Sequence, residues 1–268
     1  MSIYDDLTFY IILCVAAAML GAVFGSFLNC AAWRITHGES FIKGHSRCPK
    51  CGHELKALDL IPIFSWIFLR GKCRYCKAPI SGRYPLVEAI GGCSALLSSF
   101  MYFDPALPTP LGAGRAGLAF FMCAILTVIA FIDWDTMTIY DSTNVIVALA
   151  GVVSYFLFDD ISWLDRLIGV FVISLPMYLL VLWKEGAFGG GDIKLFAALG
   201  IFMGWKLNLL TFFIAVVTGG LYAGILLSKK KKKRNEHFAF GPFICPAAVI
   251  VMFFGRQMIA WYLEYLGF

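Results

Sequence analysis

Long apolar runs recur along this chain, at residues 7–31, 85–103, 115–132, 142–158, 163–183, 193–205, 207–227 and 239–262. The hydrocarbon core of a bilayer is about 30 Å thick, so a spanning helix needs ~20 apolar residues. All the runs but the sixth approach that length. Backbone polar groups in hydrocarbon must bond within their own segment, which makes such runs helices. With 60% hydrophobic and only 15% charged residues, against about 25% charged in soluble domains, the expected fold is an all-α polytopic membrane protein. It should have about eight transmembrane helices. The first run opens MSIYDD, without the basic stretch of a cleaved signal, and reads as a retained helix.

Basic residues orient the bundle. With the amino terminus outside and eight helices alternating, eighteen of the twenty-two Lys and Arg residues fall inside, as the positive-inside rule requires. Only Arg115, Arg166, Lys206 and Arg256 fall outside. The run KKKKKR at 229–234 could bind anionic lipid or a nucleic acid. Directly after a spanning helix it reads as an ordinary positive-inside anchor, with membrane lipid and no nucleic acid as the expected partner. Three parts follow: a first transmembrane helix (1–33), a polar cytoplasmic loop (34–84) and a transmembrane core (85–268).

The loop carries CPKC (Cys48, Cys51) and CRYC (Cys73, Cys76). Two C-x2-C pairs at this separation are a zinc-site signature, because four thiolates make the soft tetrahedral set Zn²⁺ prefers. CPKCGHEL and CRYCKAPI both end in an aliphatic residue four past the second cysteine, like two knuckles closing on one ion. A domain of about fifty residues is small enough to need such a staple. A reducing cytoplasm disfavours disulfides, and a redox pair is the competing reading. His45 and His53 read as solvated neighbours. Cys14, Cys30, Cys93, Cys123 and Cys245 lie in apolar runs and read as small core residues. Four sulfur ligands leave no open position for water, so the zinc is expected to be structural.

The stretch AFGGGDIKLFAALG, residues 187–200, puts Asp192 at the cytoplasmic end of the sixth run. Asp133 closes the third run from the same side, 59 residues earlier. Two carboxylates brought close share one proton. One then serves as general base on water while the protonated one polarises a carbonyl. Helix capping is the other reading of Asp192; Asp135 or Asp141 is open as the partner in place of Asp133, and ion or proton translocation is the rival use of such acids.

FGGGDIKLFAALG resembles the GxGD-x-K signature of the type IV prepilin peptidases, membrane aspartic proteases. FIDWDTMTIYD is similar to their first aspartate motif, FGSFLNCAAWRI to their opening helix, the cysteine loop through RYPLVE to their cytoplasmic loop, and FGPFICPAAVI to their last helix. The resemblance implies that Asp133 and Asp192 are catalytic, supported by Gly189, Gly191 and Lys194. It implies cleavage of a basic leader from type IV prepilins or pseudopilins at the cytoplasmic face of the bacterial inner membrane. It also implies methylation of the new amino terminus with S-adenosylmethionine, with Glu88 near the methyl donor. The sequence departs from the family at Tyr140, where proline is usual, at Leu60, where a polar residue usually precedes Ile-Pro, and at Thr36, where a proline is absent. A peptidase whose loop only docks substrate, and a transporter, are the alternatives.

Overall fold

The structure, a computed structural model, describes residues 3–38, 40, 45–104, 109–184, 186, 188–228 and 238–267. The lysine run at 229–234 lies outside the described residues, as do Glu39, Glu185 and Glu236. The helices are α1 (Ile3–Thr36), α2 (Phe64–Phe68), α3 (Arg83–Tyr102), α4 (Pro110–Thr136), α5 (Asp141–Leu157), α6 (Trp163–Trp183), α7 (Gly190–Ser228) and α8 (Gly241–Tyr265). Among the described residues, α4, α6, α7, α8 and most of α1 are long and apolar enough to cross a membrane, and α5 is a shorter apolar helix. The only β pairing among them is two isolated bridges in the loop. By packing, the chain divides into two compact units, Met1–Ala124 and Ile125–Phe268, with α4 contributing to both.

In the first unit α1 packs along α3. The contact is backbone to backbone: a Cβ added to Gly91 would lie 2.3 Å from the Gly21 carbonyl. Small residues let helices approach this closely where hydrocarbon gives no hydrophobic drive to associate.

In the second unit α7 packs against α5, α6 and α8. It is not one rod. Gly204 adopts φ 74°, ψ 175° in its middle, and a straight helix would hold Phe196 and Phe212 about 24 Å apart. Their rings are 5.5 Å apart, and Asn208 Nδ2 donates to the Phe196 carbonyl at 3.0 Å. The chain therefore reverses at Gly204, and α7 is a helical hairpin whose limbs are the sixth and seventh apolar runs. The turn falls before residue 206, the gap expected from the sequence. With two limbs in α7, and with α1, α3, α4, α5, α6 and α8, each of the eight apolar runs falls on a helix.

A helix broken at this depth leaves carbonyls without partners. Arg166 supplies them: its Nη1 donates to the carbonyls of Ile201 at 2.7 Å and Phe202 at 3.1 Å, and to Ser154 Oγ at 2.6 Å. A cation at a helix carboxyl end also complements its dipole. Asn208 donates further to the Gly169 carbonyl at 2.9 Å. Partners are described for three of the basic residues expected outside, Arg166, Lys206 and Arg256. Arg166 caps the break, Lys206 lies over the Trp205 ring at 5.6 Å, and Arg256 pairs with Asp160.

The reversal also presses α6 against the first limb of α7, and a Cβ on Gly200 would fall 2.1 Å from the Gly169 carbonyl. Gly200→Val should cost about 3 kcal/mol or more by overpacking, seen as loss of the monodisperse peak in size-exclusion chromatography of the solubilised protein. An unchanged peak and melting temperature would contradict the backbone contact.

Candidate active site and metal centre

The loop between α4 and α5 places the first aspartate. Met137, at φ 53°, ends α4, and its N–H still reaches the Asp133 carbonyl at 2.8 Å. Asp133 is left one turn from the helix end, and Asp192 is the third residue of α7. Both side chains are buried, at 4% and 8% exposure, whereas Asp135 and Asp141 are exposed. Burial thus separates the pair from the two competing acids.

Each carboxylate is held by a backbone N–H at a helix start. Asp133 Oδ2 accepts from Gly241 N–H at 2.8 Å. Gly241 opens α8 with Pro242 behind it, where amide donors have no intrahelical acceptor. A Cβ on Gly241 would lie 2.8 Å from that same oxygen. Asp192 Oδ2 accepts from Gly189 N–H at 3.3 Å, three residues back, which is half of a capping box. The capping reading is therefore part of the truth, although the cap is Gly189 and Asp192 reaches back to it.

The two carboxylates lie within electrostatic reach of each other, and both also reach the buried Cys245 thiol. Cys245 follows Gly241 by one turn, so α8 presents both residues on one face. Its reading as a small core residue holds; its facing the aspartates was missed. The spacing of Gly241 and Cys245 in FGPFIC was the available signal.

The glycine loop is fastened to α5. Lys194 Nζ contacts both oxygens of Asp141 at 2.7 and 2.8 Å, in an exposed pair. The buried Asn144 donates Nδ2 to the Gly191 carbonyl at 3.4 Å. A Cβ on Gly191 would meet Ile139 at 2.8 Å, which accounts for glycine there. Asn144 carried no sequence signal, because one amide in an apolar run is informative only once its neighbour is known.

In the first unit, Cys48, Cys51, Cys73 and Cys76 converge with all four sulfurs within 4.8 Å of one another. Tetrahedral Zn–S bonds of about 2.3 Å set sulfurs ~3.8 Å apart, and Cys48 and Cys76 stand at 3.9 Å. Donor chemistry and spacing fit one ion. The halves repeat each other closely. Cys48 N–H bonds the His53 carbonyl and Gly52 N–H the Cys48 carbonyl; Cys73 bonds Ala78, and Lys77 bonds Cys73, in the same way. Gly52 and Lys77 occupy the same left-handed position, at φ 70° and 60°. Burial opposes ionisation of Cys48, but N–H groups of Cys51 and Lys50 and the thiols of Cys51 and Cys73 bring its pKa down to about 7. His45 pairs with Glu54, and the His53 ring lies tilted against Tyr75 with centroids 3.6 Å apart, so neither belongs to the cluster. Asp59 clamps the second knuckle, accepting from Arg74 at 2.5 Å and Tyr75 at 3.0 Å.

Glu88 is buried in α3, where Oε2 accepts from Ile63 N–H at 2.6 Å and Ser26 of α1 also bonds the carboxylate. Ile63 sits at φ 62°, an unfavourable region for a β-branched residue. The partners of Glu88 suit the pinning of that turn. They do not suit an open subsite for a sulfonium.

Fold and sites together define a polytopic membrane protein with a buried carboxylate pair and a four-cysteine loop. Residues 19–102 match the Bacterial Peptidase A24 N-terminal domain, and residues 120–224 match the Type IV leader peptidase family. The chain is similar to the prepilin leader peptidase/N-methyltransferase of Stutzerimonas stutzeri, 32% identical over 94% of each chain. It is also similar to that of Aeromonas hydrophila, 34% identical over 81% of this chain and 74% of the relative. The protein of that name from Myxococcus xanthus is 36% identical over 78% of this chain and 61% of the relative. No solved structure matches the chain. The chain belongs to the type IV leader peptidase family.

The knuckle repeat can be tested at Gly52, where an added Cβ meets nothing within 4 Å, so any penalty comes from φ alone. Gly52→Ala should cost about 1 kcal/mol, read as roughly fivefold faster tryptic cutting of the loop in the solubilised full chain. Unchanged cutting would mean that the left-handed turn does not hold the knuckle.

Proposed function

We propose that the chain is a membrane aspartic endopeptidase of the bacterial inner membrane, cutting the leader from type IV prepilins or pseudopilins at the cytoplasmic face. The observation that carries this reading is the burial of Asp133 and Asp192 at helix ends, each anchored through Oδ2. Neither Oδ1 has a hydrogen-bond partner among the described residues. A buried pair in mutual electrostatic reach holds one proton between its members. The ionised carboxylate takes a proton from water, and the protonated one donates to the scissile carbonyl as the tetrahedral centre forms. The proton returns to the leaving amine when the peptide bond breaks. A precursor with a basic leader and an apolar helix would present its scissile bond at the membrane surface, where helix ends lie. Gly189, Gly191 and Lys194 act by shaping and tethering the loop that carries Asp192.

Cys48, Cys51, Cys73 and Cys76 would hold Zn²⁺, which supplies a fold staple and no open position for chemistry. Methylation of the new amino terminus with S-adenosylmethionine as donor is supported by the names of the relatives. Glu88 contributes by positioning the cysteine loop on α1 and α3.

Asp133→Asn and Asp192→Asn should each leave prepilin uncut in membranes containing normal amounts of enzyme, and normal cleavage by either removes the dyad. Lys194→Met breaks an exposed pair worth about 1 kcal/mol or less and should slow cleavage by under roughly fivefold. Cys48→Ser with Cys51→Ser should abolish the one zinc per chain measured by plasma mass spectrometry; retained zinc refutes the four-thiolate site. Transfer of labelled methyl to cleaved pilin tests the second activity, and absence of label leaves the loop a docking or structural element.

A further inference from the structure

The cysteine loop exposes an apolar ridge. Phe64, Ile67 and Phe68 share one face of α2, spaced i, i+3, i+4, and are 60%, 56% and 81% exposed. Leu58, Leu60 and Ile61, just before the helix, are exposed too. The other side of α2 faces the domain, where Trp66 Nε1 donates to the Ile80 carbonyl at 3.2 Å and its ring covers Gly71.

Two observations say what covers the ridge. The first is depth. Ile63, the residue before α2, is bonded to Glu88, five residues into α3 and so about 7.5 Å along it. The same carboxylate is bonded by Ser26, well inside α1. The helix carrying the ridge is thus tied below the ends of two membrane helices, at the level where bilayer meets water. The second is charge. Residues 34–84 hold ten Lys and Arg against three Asp and Glu, complementary to an anionic cytoplasmic leaflet. An apolar ridge beside an excess of basic residues is the composition of segments that lie in the membrane interface.

We propose that α2 and residues 58–61 form an interfacial anchor, inserted among the headgroups and upper acyl chains of an anionic leaflet, which holds the cysteine loop against the membrane. The anchor needs neither aspartate and stands apart from the peptidase reading. The test uses the full chain in nanodiscs containing phosphatidylglycerol, without substrate, and with photoreactive benzoylphenylalanine replacing Phe68. Illumination should give lipid adducts several-fold above those from the same label at the exposed Lys50 on the first knuckle. An equal yield, or adducts only to added prepilin, overturns the proposal; the latter would make the ridge a substrate-docking surface. In the unlabelled chain, amide hydrogen exchange across residues 64–70 should slow severalfold when phosphatidylcholine nanodiscs are replaced by phosphatidylglycerol-containing ones. Identical exchange in the two also overturns it.

Discussion

Hydrocarbon offers no hydrogen bonds, so each backbone polar group carried into the membrane must find its partner within the protein. The break at Gly204 illustrates the demand. The reversal strands carbonyls at 201 and 202, and a buried arginine from α6 with an asparagine from the returning limb supplies donors to the hairpin. The glycine contacts between α6 and α7 bring those donors close enough. This polar lock joins the close α6–α7 packing in placing the first limb of α7, which has Asp192 at its start.

The aspartates obey the same demand in a different way. Each is anchored through one oxygen by an amide at a helix start, and such amides have no intrahelical acceptor in any case. The anchors hold the carboxylates in place and leave the other oxygens without partners. The buried Cys245 on α8 lies within electrostatic reach of both carboxylates. The carboxylates are therefore positioned by helix ends, and the exposed Lys194–Asp141 pair only tethers the loop behind them.

The loop domain solves a different problem, since some fifty residues in water enclose too little apolar surface to fold firmly alone. Its repeated knuckles converge four sulfurs, Asp59 clamps the second knuckle, and Glu88 pins the turn before α2 to the helix pair. Cysteine cluster, clamp and pin tie together a segment with no extended sheet among its described residues.

Much was legible in one dimension. Apolar runs count membrane helices because a bilayer has a thickness. C-x2-C spacing places two sulfurs in one turn, so the four converging cysteines could be named from the sequence. Resemblance added Asp133 and Asp192 as a pair, yet spacing alone left Asp135 and Asp141 open and could not distinguish a capped helix from a dyad. Burial and the donors at Gly241 and Gly189 are visible only in the tertiary structure, because they depend on which helix starts meet in space. The hairpin at Gly204, the grip of Asn144 on Gly191 and the binding of Glu88 to Ile63 were equally hidden. Each joins residues distant in sequence or turns on one backbone dihedral, and local composition carries no record of either.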